Sequence, residues 1–138
     1  MIRPRRSLLF MPGSNARALE KARTLPADGL ILDLEDSVAP EAKATAREQV
    51  GQAIAAGGFG ERELLERING LDTAWWIPDL DMVAKTRPHG IVVPKVSTVD
   101  DIAKISDRFA DLGADHNIRV WLMIETALGV LNAAELAA

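Results

Sequence analysis

The sequence predicts an α/β protein with a parallel sheet, and three observations carry that expectation. Short apolar runs alternate with helix-forming stretches along the whole chain of 138 residues. The runs recur at roughly 20 to 35 residues, the size of a βα unit. Each run also leaves through polar residues or a Pro-Gly turn. The clearest case is Gly29-Leu-Ile-Leu-Asp-Leu-Glu-Asp36, where Leu30 to Leu32 pass directly into Asp33, Glu35 and Asp36. A short apolar run opened by Gly29 reads as a strand buried on both faces, so the acids must lie at its exit. βα units in series put every exit on one side of the sheet, the side where α/β enzymes hold their chemistry. A (β/α)8 barrel or an open doubly wound sheet meets these conditions. The first strand–helix turn lacks the glycine-rich dinucleotide pattern, which disfavours a Rossmann domain. A full barrel takes about 250 residues. Residues 1–138 would then form the N-terminal part of a single barrel domain, its first five βα units and the start of a sixth.

Ser7 to Met11 forms the first strand, stopped by Pro12-Gly13. Ser14 or Asn15 caps a helix to about Thr24, on which Arg17 and Lys21 share a face. Pro26, Asp28 and Gly29 turn the chain into the second strand. Pro40 fits a first helical turn with Glu41 favourable at its positive end, and alanines carry that helix from Ala42 to about Ala56. Gly57, Gly58 and Gly60 precede the third strand, Leu64 to Ile68, which delivers Arg67, Asn69 and Gly70. Pro78-Asp79 opens a short helix ending near Lys85. Pro88-His89-Gly90 turns into the fourth strand, Gly90 to Lys95. Ser97 with Asp100 resembles a capping box, and its helix runs to about Leu112, where Gly113 stops it. A fifth strand, Arg119 to Ile124, ends at Glu125, and Val130 to Ala138 begins another helix. The exits gather Asp33, Glu35, Asp36, Arg67, Asn69, Lys95 and Glu125 on one edge.

Composition narrows the function. A net charge of -4 argues against nucleic acid as a partner. The absence of cysteine excludes disulfides, thiolate catalysis and cysteine-ligated metals, and fits a reducing compartment. Arg3, Arg5 and Arg6 precede an apolar run too short for a signal peptide, and no stretch is long enough to span a membrane. These features lead to the expectation of a cytoplasmic protein with no membrane partner.

Six stretches follow one another over the whole chain: Arg6-Ser-Leu-Leu-Phe-Met-Pro-Gly13, Arg17 to Ala22, Leu32-Asp-Leu-Glu-Asp36, Arg67-Ile-Asn69, Val93-Pro-Lys-Val96 and Ile124-Glu-Thr-Ala-Leu-Gly129. In that order and spacing they resemble the citrate lyase beta-subunit and malyl-CoA lyase family, the HpcH/HpaI aldolase group. Ser97-Thr98 departs from the Glu-Ser often seen after Pro-Lys-Val. The resemblance implies a (β/α)8 TIM barrel and Mg²⁺ as cofactor. It implies cleavage or formation of a C–C bond between an acyl-CoA and an oxo-acid, and a homo-oligomer, trimer or hexamer. It also places a second metal carboxylate, the closing strands and a C-terminal lid beyond Ala138. A malyl-CoA-type thioesterase is the alternative on the same site. A non-catalytic barrel fragment, its open sheet edge prone to association, is another.

The resemblance makes Glu125 a Mg²⁺ ligand; position alone allows it equally to cap the helix starting near Thr126. Arg67 would hold the substrate carboxylate or the thioester enolate, since a guanidinium takes a carboxylate bidentately. A structural ion pair with Asp33, Glu35 or Asp36 is the other reading, and both hold if the acids leave one edge free. Glu35 and Asp36 either bond to water on Mg²⁺, hold Arg67, or mark the helix at Pro40. The first two readings together assign them to catalysis with Arg67, and Asp33 to support. Phe10, Arg17 and Lys21 match CoA-contacting positions, with the two cations for its phosphates; a solvated basic face is the competing reading. Lys95 can reach the site from the fourth strand. His89 and His116 lack ligand partners by spacing. Asp79 and Asp81 read as ordinary first-turn helix acids, and Trp75 and Trp76 as packing residues. No proton-transfer group stands out.

Overall fold

The computed structural model describes residues 3–138. Strands β1 (Leu8–Pro12), β2 (Gly29–Asp33), β3 (Glu63–Arg67), β4 (Gly90–Val93) and β5 (Arg119–Leu122) form one parallel sheet in the order β1-β2-β3-β4-β5. The parallel α/β expectation is met. The order never reverses within these strands, whereas a doubly wound sheet switches direction between its halves. Helices α1 (Ala16–Ala22), α2 (Lys43–Ala56), α3 (Trp76–Thr86) and α4 (Val99–Leu112) pack against one another in chain order. Two short helices, α5 (Ala127–Leu131) and α6 (Ala133–Leu136), follow β5. No helix among the described residues is long and apolar enough to cross a membrane.

Successive side chains of a strand point to opposite faces, and the cores follow that rule. Leu30, Leu32 and Leu64 pack with Leu19, Ala46 and Val50 of α1 and α2. Ile68, Ile91 and Val93 pack with Leu80, Val83 and Ile105 of α3 and α4. The other face carries Ile31, Leu65 and Val92, with Trp121 and Met123 against them. Each buried aliphatic side chain contributes about 1.5–3 kcal/mol. β2 and β3, buried along their whole length, therefore hold their exits on a rigid base. Gly13 ties the first turn to that base: its amide donates to the Asp33 carbonyl at 2.8 Å. A Cβ at Gly13 would stand 2.6 Å from the same oxygen, a distance only glycine avoids.

Several boundaries differ from the sequence reading. α1 stops at Ala22, and β4 and β5 stop at Val93 and Leu122, so Lys95 and Glu125 belong to loops rather than strand ends. α3 opens at Trp76 and takes Pro78 into its first turn, where no amide is needed. The cap of α4 is Thr98, not Ser97. Asp101, three residues on, accepts the Ser97 and Thr98 amides at 2.9 and 3.0 Å. The helix expected from Val130 starts at Ala127, because the Thr126 side chain accepts the Gly129 amide at 2.9 Å.

Candidate functional site

The site is built on a register pair. Asp33 and Arg67 are partners across β2 and β3, so their side chains meet on the same face. Arg67 Nε and Nη2 donate to Asp33 Oδ1 and Oδ2 at 2.7 and 2.8 Å. The amides of Glu35 and Ser37 and the Ser37 hydroxyl donate to the same carboxylate. Burial pushes the Asp33 carboxyl up, but the bonds from Arg67, Ser37 and the Glu35 amide outweigh it and hold the group below its ordinary value. Asp33 thus has the supporting role expected of it.

Glu35, also buried, bridges two cations. Its Oε2 lies 3.1 Å from Arg67 Nη1, and its Oε1 accepts from Lys95 Nζ at 2.6 Å. That bond raises the Lys95 ammonium above its ordinary range. A guanidinium has five N–H groups; two go to Asp33 and one faces Glu35, which leaves two for a ligand. Phe10 supports Arg67 from one side, with the guanidinium 4.8 Å from its ring centroid. The sequence reading assigned Phe10 to CoA and did not foresee this contact. Asp36 is exposed, and its nearest cation is Lys95 Nζ at 3.9 Å, so Asp33 and Glu35 hold Arg67 without it.

Sequence reasoning missed Lys43. Its buried Nζ donates to the carbonyls of Leu34 and Glu35 at 2.7 and 2.6 Å and stands 5.3 Å from the Trp75 ring centroid. Burial pulls its pKa below the usual lysine value. The available signal was the spacing of Lys43 and Arg47 on an alanine-rich helix, which puts both cations on one face. Asp79 corrects a second reading. It lies in the first turn of α3 but is fully buried, not an ordinary helix acid. It accepts the Asn69 amide at 2.9 Å, Asn69 Nδ2 at 2.7 Å and Arg47 Nε at 2.7 Å, and so fixes the exit of β3. Between the exits of β2 and β3 lies a cavity of about 250 Å³ lined by Glu35, Lys43, Asn69, Thr73, Trp75 and Lys95.

Glu125 sits exposed in the loop after β5, and its Oε1 accepts the Lys95 amide at 2.9 Å. Thr126 caps α5, so the capping role considered for Glu125 belongs to its neighbour. No group of three or more His, Asp or Glu able to hold a metal forms among the described residues. Mg²⁺ is commonly bound by one or two carboxylates, with waters and substrate oxygens completing its shell. Glu125 Oε2, with no protein partner among the described residues, suits one such position. Arg17 and Lys21 are exposed on α1, and no hydrogen bond or ion pair joins their side chains to the Arg67–Glu35 cluster. His89 is structural, its Nδ1 accepting the Leu64 amide at 3.0 Å.

The chain is similar to proteins whose chemistry is known. It is 43% identical over 135 residues to the (3S)-malyl-CoA thioesterase of Cereibacter sphaeroides, covering 98% of this chain and 45% of that protein. It is 38% identical to the L-malyl-CoA/beta-methylmalyl-CoA lyase of the same species, covering 99% and 45%. The chain therefore spans about half the length of the curated relatives it matches. Protein CitE from Mycobacterium tuberculosis, solved with magnesium, acetoacetate and coenzyme A, superposes with a TM-score of 0.79 at 30% identity, over 99% of this chain and 46% of that one. The profile of the family described as HpcH/HpaI aldolase/citrate lyase matches residues 6–138, and the chain belongs to that family.

Proposed function

We propose that the full-length protein cleaves or forms the C–C bond of a 3-hydroxyacyl-CoA of the malyl-CoA or citryl-CoA type, giving an acyl-CoA and an oxo-acid. The observation that carries this reading is Arg67, locked by Asp33 and Glu35 with two N–H groups left over. A fixed guanidinium binds a carboxylate or enolate oxygen without first paying to organise itself. Family membership and the ligands of the M. tuberculosis structure support it. In this reading the five strands are part of a (β/α)8 barrel, and the protein assembles as a trimer or hexamer.

Glu125 would hold Mg²⁺ together with waters, substrate oxygens and groups elsewhere in the protein. Bound there, the ion would supply Lewis-acid stabilisation of developing oxyanion charge. Arg67 orients the substrate, Asp33 and Glu35 stop Arg67 from turning away, and Phe10 shields one face of the guanidinium from water. Asp36, exposed near Lys95, would be free to bond water at a bound ion. Arg17 and Lys21 meet the CoA phosphates. In the cleavage direction a general base, not among the residues assigned above, takes the hydroxyl proton. The carbinol becomes the carbonyl of the oxo-acid as the C–C bonding pair passes to the thioester, giving an acyl-CoA enolate. The enolate carbon then takes a proton.

One observation favours a second reading. Identity to the malyl-CoA thioesterase is 43%, against 38% to the malyl-CoA lyase. A thioesterase would direct water at the thioester and release free CoA. Malyl-CoA incubated with the protein and Mg²⁺ separates the two. Acetyl-CoA and glyoxylate are expected; free CoA and malate would establish the hydrolase, and no turnover of malyl-CoA or citryl-CoA would overturn both.

A further inference from the structure

Lys95 has a left-handed backbone, φ 54°, and is one of two non-glycine residues with positive φ among those described. The other, Arg87, ends α3, a common place for that conformation. Lys95 ends no helix. A side chain with a Cβ is disfavoured in this region, glycine is the usual occupant, and such backbone persists only where the surroundings hold it. What holds Lys95 is visible. Its Nζ donates to Glu35 Oε1 at 2.6 Å, and its own amide donates to Glu125 Oε1 at 2.9 Å. Glu35 is a firm anchor, buried, facing Arg67 Nη1 at 3.1 Å, its carbonyl bonded to Lys43 Nζ at 2.6 Å.

We infer that Lys95 is a positioning residue that ties Glu125 to the acidic turn after β2. The side chain, anchored on Glu35, keeps the backbone left-handed, and the left-handed backbone aims its N–H at Glu125. One carboxylate oxygen of Glu125 is thereby fixed and the other presented. The inference rests on the reading of Glu125 as a Mg²⁺ ligand, and it gives lysine, rather than glycine, a reason to be there.

The test uses Lys95→Gly, Lys95→Met and Lys95→Arg in the full-length protein, read by Mg²⁺ titration calorimetry, thermal unfolding and hydrogen exchange of the residue 95 amide. Glycine accepts the backbone but loses the anchor. Mg²⁺ affinity is expected to fall by about 10- to 100-fold, the usual effect of losing a group that orients a metal ligand, while the melting temperature holds or rises. A merely structural lysine would move stability and leave affinity alone. Methionine keeps the strain without the anchor, so affinity falls and the residue 95 amide exchanges faster, even without metal. Arginine, which keeps a cation for Glu35, restores most of the affinity. Gly and Met variants that bind Mg²⁺ like the parent, with unchanged amide protection, would overturn the inference. If the parent itself takes up no Mg²⁺ but the Met variant still loses protection, the coupling stands and the metal reading falls.

Discussion

Asp33 and Glu125 occupy equivalent places in the sequence, each an acid after an apolar run, and opposite places in the structure. Asp33 is 1% exposed and receives two bonds from Arg67, two from main-chain amides and one from Ser37. Glu125 stands in an exposed loop and receives one bond, from the Lys95 amide. An ionised carboxylate has about four lone-pair sites. Those of Asp33 are used up within the fold, and most of those of Glu125 are open. Counting donors thus separates an acid used up within the fold from one left open, a count the sequence does not contain.

Replacing each acid by alanine gives the largest expected contrast. Asp33→Ala strands a buried guanidinium without its two-point partner, a change that costs about 3–5 kcal/mol. Urea denaturation should show the full loss. Glu125→Ala strands nothing buried, so stability without metal should stay within about 0.5 kcal/mol of the parent. Its thermal stabilisation by Mg²⁺ should disappear. Equal losses in the two variants would erase the distinction. Acid unfolding sharpens it further. The Asp33 carboxyl is depressed below 3.8, so its stabilisation is fully present above that value and is lost as pH falls through its folded pKa. Asp33→Ala should lack that part of the acid limb.

Glu66 extends the comparison to the opposite face of the sheet. It alternates with Arg67, points toward α2 and α3, is fully buried, and neither oxygen has a hydrogen-bond partner. Burial, helped by the charge of Asp79 and opposed by Arg47, pushes its pKa to about 8. Where partners hold Asp33 ionised, their absence keeps Glu66 protonated at neutral pH. A carboxyl with a raised folded pKa stabilises fully below its unfolded value of 4.5 and loses that contribution as pH rises through about 8. Glu66→Leu removes the titration. Its stability relative to the parent should grow by roughly 3 kcal/mol between pH 4.5 and pH 7, at 1.36 kcal/mol per unit. Parallel stability–pH curves for the two proteins would show that Glu66 is ionised and paired after all.

Much of this arrangement was legible in the sequence, and the exceptions have physical causes. The apolar runs located all five strands, most plainly β2 and β4, where burial on both faces leaves an uninterrupted signature; β3 shows only Leu64-Leu65 between charged residues. The acids after Leu32 and the Arg67-Ile-Asn69 triplet located the edge where Asp33, Glu35 and Arg67 meet. Glu66 escaped notice, since nothing in the sequence shows whether a buried strand acid has a partner. Asp79 and Lys43 were hidden because first-turn acids and helix lysines are common on surfaces. Their burial depends on how α2 and α3 sit on the sheet. The left-handed backbone of Lys95 had no glycine or asparagine to announce it.

Lys43 gives a smaller expected effect than the buried acids and the most direct link between framework and site. Lys43→Met keeps the aliphatic stem and its place against Trp75 but removes the donors to the Leu34 and Glu35 carbonyls. A buried carbonyl left without a donor costs about 1–3 kcal/mol. Lys43 is itself destabilised by burial, as its lowered pKa shows, so the loss is partly offset. The net should be roughly 2 kcal/mol, less than for Asp33→Ala, because the methionine strands two dipoles and not a charge. The Glu35 side chain keeps both cations in this variant, so Mg²⁺ affinity should fall less than in Lys95→Gly. Chemical denaturation beside Mg²⁺ titration checks both halves. A Lys43→Met protein as stable as the parent would mean that water replaces the ammonium at these carbonyls. The turn after β2 would then be held by Asp33 and the Glu35 side chain.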